Sequence, residues 1–182
     1  MPAVSTNPRA TYSFQGAPPE IAYLDTSFVL NLVVKESAFH SECVNFAKQL
    51  KAAESLLVLS NLVLDEMWFV LLRLQAVQEQ GQSGWLSFLR QHPEKIRVYA
   101  QRLEQVTQQI LRIPNLLWIE TTFAQSLKAL TFVQQYGLLP RDALHATLVK
   151  DAGIGTLVTT DADFMRVEGI TLYTCNRHVQ GT

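Results

Sequence analysis

The sequence predicts an α/β sandwich built on a mostly parallel sheet, and three observations carry that prediction. Short apolar runs alternate along the chain with longer segments whose apolar residues recur at helical spacing. Five such runs stand out, at 21–25, 56–60, 115–120, 155–161 and 170–174. The helical segments between them begin and end at residues suited to caps, such as Pro140 at a start and Gly137 or Gly153 at an end. Strands alternating with helices argue for helices packed on a sheet rather than for an all-helical or all-β domain.

The elements follow in order. IAYLD (21–25) is a short apolar run that ends at an acid, as a buried strand does. Thr26 and Ser27 come next, and either can cap the helix begun by FVLNLVV. A second helix spans about 38–53, with Phe39, Cys43, Phe46 and Leu50 along one face. LLVLS (56–60) is the next strand, and Ser60 or Asn61 is placed to cap a helix running to about Gln78. That helix is apolar nearly all round, through Val63, Leu64, Met67, Trp68, Val70, Leu71, Leu72 and Leu74, which predicts a core position. A helical hairpin follows as an excursion over about 79–113, opened by the glycines of EQGQSG. Its first arm centres on Trp85, Phe88 and Leu89; its second starts after Pro93 and holds Ile96, Tyr99, Leu103, Val106 and Ile110 on one face. NLLWIE (115–120) is the third strand, and the helix after it carries Phe123, Leu127 and Leu130 on one face. A further helix opens at Pro140. GTLVTTD (155–161) and ITLYT (170–174) complete the sheet, the former leading into a turn.

Size and composition bound the answer. With 182 residues, 48% of them hydrophobic and 17% charged, the chain fits one globular domain over 21–182. Residues 1–20, with Pro2, Pro8, Pro18 and Pro19, read as a flexible or loosely packed N-terminal arm. The arm lacks the apolar segment of a signal peptide, and no apolar stretch approaches the ~20 residues that span a bilayer. A soluble, cytoplasmic protein is therefore expected. Cys43 and Cys175 have neither disulfide-framework nor zinc spacing, and Cys43, at an apolar helical position, reads as a small core residue. The formal net charge of −1 counts mildly against a nucleic-acid binder, although a cluster of acids would mask a basic surface elsewhere.

Asp25, Glu66, Asp142 and Asp161 lie at the ends of separate elements, in IAYLD, LVLDE, LPRDA and TLVTTD. Strand carboxyl ends and helix N-termini share one edge of a parallel sheet, and ligands bind there where the strand order reverses. Carboxylates converging on that edge repel each other unless a hard divalent cation lies between them. Singly, each has a plainer explanation: Asp25 can cap a helix, Asp142 can complement a dipole, and Asp161 and Asp163 can be turn residues. Glu66 is harder to dismiss, because an acid in a buried helix needs a partner; Asp65 beside it is expected to point outward. His145, one turn after Asp142, reads as a hydrogen-bonded core histidine. The stretch from Arg90 to Arg112 is locally basic, and Arg90, Arg97 and Arg102 can form either a solvated face or a track for phosphates.

Four short motifs, in order, resemble the PIN domain and more narrowly the VapC-type ribonuclease toxins of bacterial and archaeal toxin–antitoxin systems. They are YLDTSF (23–28), LSNLVLDE (59–66), PRDALHAT (140–147) and LVTTDADF (157–164), and the likeness covers about 21–175. The resemblance implies a three-layer α/β sandwich with a five-stranded sheet. It implies an acidic quartet of Asp25, Glu66, Asp142 and Asp161, with Asp163 as an additional metal ligand and Ser27 and Thr159 as hydroxyls that orient the acids. It further implies Mg2+ or Mn2+, RNA as substrate for an endoribonuclease, a homodimer, and an antitoxin whose tail plugs the cleft; for such a substrate the basic stretch makes Arg90, Arg97 and Arg102 the candidate RNA contacts. The N-terminal arm and the excursion at 79–113 depart from the shorter members. Two alternatives stay open: a non-catalytic PIN-like module for RNA binding or assembly, and a structure-specific DNA nuclease. A receiver-like signalling domain fits poorly, since no Lys follows TLVTT or ITLYT.

Overall fold

A computed structural model describes residues 10–177. The chain divides into two compact units, one formed by residues up to Leu62 together with those from Asn115 onward, the other by Val63–Pro114.

The first unit holds a single six-stranded sheet. Its strands are β1 (Thr11–Ser13), β2 (Ile21–Leu24), β3 (Leu56–Ser60), β4 (Leu116–Ile119), β5 (Thr156–Val158) and β6 (Thr171–Thr174). All pairings are parallel, in the order β1-β6-β5-β2-β3-β4. The central strands are apolar and buried without alternation, through Ala22, Tyr23 and Leu24, Leu57, Val58 and Leu59, and Leu157 and Val158. Such continuous burial is what a parallel sheet covered on both faces requires.

The helices of this unit are α1 (Thr26–Val33) and α2 (His40–Ala52) after β2, and α6 (Phe123–Tyr136) and α7 (Pro140–Asp151) after β4. From β2 the chain moves to β3 and then β4; it next crosses back to β5 on the other side of β2 and continues to β6. Crossovers of one hand running in opposite directions put α1–α2 and α6–α7 on opposite faces, giving three layers. The reversal falls between β2 and β5, where Tyr23 pairs with Leu157 and Leu24 with Val158.

Aromatic packing joins α1, α2 and the start of the chain. Phe14, just past β1, stacks on Phe46 of α2 with ring centroids 4.2 Å apart, and Phe28 of α1 meets Phe46 edge-on at 6.3 Å.

The sixth strand corrects the expected count of five. β1 lies in the segment read as an arm, and pairs Thr11 to Ser13 with Leu172 to Thr174. Three residues, TYS, are too few to display a period of two, so only the partner strand reveals this one. Residues 1–9 of the expected arm lie outside the described residues.

The second unit contains most of α3 (Asn61–Gln80), with α4 (Trp85–Gln91) and α5 (Pro93–Leu111). Ala76, Leu89 and Tyr99 are its buried cluster, flanked by Leu72, Trp85 and Phe88. The Tyr99 hydroxyl donates to Glu79 at 2.5 Å, and Lys95 pairs with the same carboxylate. The expected all-round burial of α3 does not hold: Trp68, Phe69 and Leu74 are 39%, 44% and 42% exposed. A unit of three helices has too few layers to cover every side of its longest member. Ser60 and Asn61, read as caps for α3, are engaged elsewhere: the Ser60 hydroxyl bonds Tyr23, and the Asn61 side-chain oxygen accepts from the Thr121 backbone and hydroxyl.

Helix α6 brings a related finding. Its N-terminus is closed by a capping box between Thr122 and Gln125, and it packs on α7. Its buried residues are Ala129 and Phe132, whereas the stripe Phe123, Leu127 and Leu130 is 79%, 54% and 57% exposed. Among the described residues, no helix is long and apolar enough to cross a membrane.

Candidate active site

Asp25 follows β2 and is the N-cap of α1, its carboxylate accepting the Ser27 backbone N–H at 3.2 Å. The capping role and a site role therefore coincide in one residue. The Asp25 backbone N–H donates to the Val158 carbonyl at 3.0 Å, which fixes the end of β2 against the end of β5. Asp25 is buried, 4% exposed, at the point where the strand order reverses.

Two hydroxyls clamp the turn after β5 onto this carboxylate. Ser27 Oγ and Thr159 Oγ1 donate to Asp25 Oδ2 at 2.6 and 2.8 Å. In the other direction, Ser27 Oγ accepts the Thr160 N–H at 2.9 Å, and Thr159 Oγ1 accepts the Asp161 N–H at 2.9 Å. Each hydroxyl has one proton, and the charged acceptor makes the stronger bond, so each points its proton at Asp25 and its lone pair at the turn. Asn31 and Asn176 steady the same turn by donating to the Thr160 hydroxyl at 3.2 Å and carbonyl at 2.9 Å.

The turn delivers Asp161 to the site. Its Oδ1 accepts the Asp163 N–H at 2.8 Å, an Asx turn that leads into the 3-10 turn Asp163–Arg166. Burial raises the Asp161 carboxyl above its ordinary value; the Asp163 N–H opposes this, while the charges of Asp25 and Asp163 push it further up and Arg166 pulls it down. Asp163 itself is paired with Arg166 at 2.7 Å, and Arg166 also donates to the Gly137 carbonyl at 3.0 Å.

Asp142 sits in the first turn of α7, where Pro140 occupies the opening position, and is half-buried. Three residues on, His145 is 1% exposed and its Nε2 lies 3.9 Å from Asp25 Oδ1. Residues at this spacing share a helix face, so Asp142 belongs to the face of α7 turned toward Asp25. Glu66 lies on α3 within the second unit and is buried, with Asp65 beside it exposed. Arg90, Arg97 and Arg102 are exposed on α4 and α5 of that unit. Arg97 and Arg102 are five residues apart, about 140° around the helix axis, so they do not form one stripe.

The donor chemistry at the switch point suits a hard cation. Asp25 Oδ1 accepts no hydrogen bond among the described residues, and Asp161 is a second carboxylate that feels the charge of the first. A preformed cage is absent: among the described residues, no three His, Cys, Asp or Glu side chains are grouped so as to hold a metal ion. Tyr23 and Ser60, which hydrogen-bond below the acids, and Asn31 carry no site signal in the sequence: a Tyr in an apolar strand reads as core, and Ser60 reads as a helix cap.

The sheet order and this acidic edge define the class, and the sequence comparison agrees: residues 22–170 match the PIN domain. The chain belongs to the PIN domain family. Among solved structures its fold is similar to that of VapC20 from Mycobacterium tuberculosis, described as a toxin that cleaves the sarcin–ricin loop. That match has a TM-score of 0.51 and 18% sequence identity, and covers 81% of this chain and 98% of that one. Among curated proteins, no sequence matches this chain.

Proposed function

We propose that this protein is a divalent-cation-dependent endoribonuclease of the VapC type, the toxin of a toxin–antitoxin pair. The observation that carries the reading is the clamp at the switch point, in which Ser27 and Thr159 tie the turn bearing Asp161 to Asp25. Asp25 and Asp161 would hold Mg2+ or Mn2+, with Asp142 from the first turn of α7. Glu66 joins the set by its place in the LSNLVLDE motif, and Asp163, paired with Arg166, is an outer member of it. A bound cation would supply activation of water and neutralisation of charge at the scissile phosphate. The chain's own groups hold the carboxylates in place: Asp25 Oδ2 is saturated by donors, which leaves Oδ1 for coordination.

RNA is the proposed substrate, Arg90, Arg97 and Arg102 are proposed phosphate contacts, and the cytoplasm is the proposed compartment. The partners this reading implies, an antitoxin and a second copy of the chain, need apolar surface; the exposed stripe Phe123, Leu127 and Leu130 supports such contacts. The test is cleavage of single-stranded RNA by purified protein with Mn2+, alongside Asp25→Asn and Glu66→Gln. Loss of cleavage in both, with folding retained, is expected; full activity in Asp25→Asn removes that residue from the site.

A second reading, a PIN fold serving as a non-catalytic module, is favoured by the lack of any three-residue metal group among the described residues. Calorimetric titration with Mn2+ separates the two, since a module needs no metal. Parallel assays on RNA and branched DNA separate the ribonuclease from a structure-specific DNA nuclease.

A further inference from the structure

Beneath Asp25 lies a chain of buried polar groups that the acidic site does not by itself require. Tyr23 OH is 2.6 Å from Ser60 Oγ and 2.7 Å from His145 Nδ1. The other ring nitrogen, Nε2, lies 3.4 Å from Thr26 Oγ1 and 3.9 Å from Asp25 Oδ1. Ser60, Tyr23, His145 and Asp25 are 0%, 0%, 1% and 4% exposed. Polar groups at that depth interact strongly and are costly if misdirected.

We propose that His145 is a positioning residue for Asp25: the carboxylate favours the tautomer with Nε2–H facing it, and Tyr23, backed by Ser60, supplies the proton that Nδ1 accepts in that tautomer. The phenol has one proton, so if Tyr23 donates to His145 it accepts from Ser60. The nearer Thr26 hydroxyl can donate or accept and so suits either tautomer, which leaves the carboxylate to decide: a lone pair on Nε2 would face an anionic oxygen, whereas an N–H there is attracted to it. Nδ1 is then the acceptor, Tyr23 donates to it, and Ser60 donates to Tyr23. At 3.9 Å the N–H is beyond hydrogen-bond reach, so it biases the orientation of Asp25 from the Oδ1 side without capturing that oxygen. The acid is thus held by Ser27 and Thr159 on one oxygen and steered by His145 on the other. A partner that orients a liganding group commonly matters nearly as much as the ligand.

The proposal rests on the reading of Asp25 as a cation-binding acid, and its tests separate the two. In the wild-type protein, long-range proton–nitrogen NMR of His145 is expected to report the Nε2–H tautomer; an Nδ1–H or doubly protonated ring overturns the relay. Tyr23→Phe keeps the ring and removes the link. It is expected to weaken Mn2+ binding, measured by calorimetry, by about 10–100-fold, and to lower kcat for RNA cleavage by a similar factor with KM unchanged. Unaltered Mn2+ affinity and kcat in a folded Tyr23→Phe protein overturns the proposal. His145→Gln, which can retain a donor near the Nε2 position, is expected to keep more Mn2+ affinity than His145→Ala; equal losses count against it. A wild-type protein that neither binds Mn2+ nor cleaves RNA sinks the nuclease reading instead, and the histidine tautomer still decides the relay.

Discussion

Thr159→Val tests the clamp most directly, because valine keeps the shape and removes only the hydroxyl. Thr159 is completely buried, and its Oγ1 both donates to Asp25 Oδ2 at 2.8 Å and accepts the Asp161 N–H at 2.9 Å. A hydrogen bond to a charged acceptor contributes about 1.5–3 kcal/mol. Asp25 keeps both Ser27 donors, and the backbone of half-buried Asp161 can turn to water, so the loss stays within that range. For a chain of this size it corresponds to a fall in Tm on the order of 3–12 °C. The same change unties the turn that presents Asp161, so Mn2+ affinity and cleavage are expected to fall about 10–100-fold, as for other groups that orient ligands. Circular-dichroism melts, Mn2+ calorimetry and a single-stranded RNA assay read the three effects. A double-mutant cycle with Asp25→Ala isolates the contact, with an expected coupling of about 1 kcal/mol or more. An unchanged Tm, or strictly additive losses, refutes the clamp as the link between strand end and turn.

Asp161→Asn is expected to raise the Tm at neutral pH while abolishing cleavage. The wild-type carboxyl is raised in the folded state, so folding takes up protons in the window between its unfolded and folded values; ionisation of Asp161 costs stability above that window and costs nothing below it. The advantage of the Asn variant should therefore shrink as pH falls through the carboxylate range, and an advantage that grows on acidification contradicts the sign. Phe46→Ala, which removes the ring stacked on Phe14 and met by Phe28, is expected to cost about 3–5 kcal/mol in urea unfolding, and a loss below about 1 kcal/mol contradicts the packing. Cys175 is expected to alkylate well before Cys43: a hydrogen bond between the thiols lowers Cys175 and, with burial, raises Cys43, which is fully buried. Peptide mapping after iodoacetamide treatment decides it, and preferential labelling of Cys43 refutes it.

The strands that form the centre of the sheet were legible because each is a continuous apolar run closed by a polar residue. β1 was not, since TYS draws its strand character from pairing with β6 rather than from its own pattern. Burial was less legible than structure. Apolar composition around α3 and the stripe on α6 both suggested contact, yet periodicity identifies a stripe without saying what, if anything, covers it. Trp68 and Phe69 on α3, with Phe123 on α6, are exposed although their spacing suggested contact. The two cysteines show the converse: 132 residues of separation hide thiols close enough to share a hydrogen bond.

For the site, the acids were visible but their ranking was not. That Asp25 and Asp161 belong together depends on β2 lying beside β5, and no local pattern encodes strand order. One part of the ranking could have been read earlier. Asp163 and Arg166 are three apart, a spacing that brings opposite charges together in a helical turn, and the pair does form at 2.7 Å. An acid already neutralised by a cation of its own chain has less attraction to offer a metal. Asp161, which among the described residues lends an oxygen only to a backbone N–H, retains more of its charge for one. Its carboxyl, raised first by burial and then by the charges of Asp25 and Asp163, is the kind of local conflict that favours a binding role over a scaffold role.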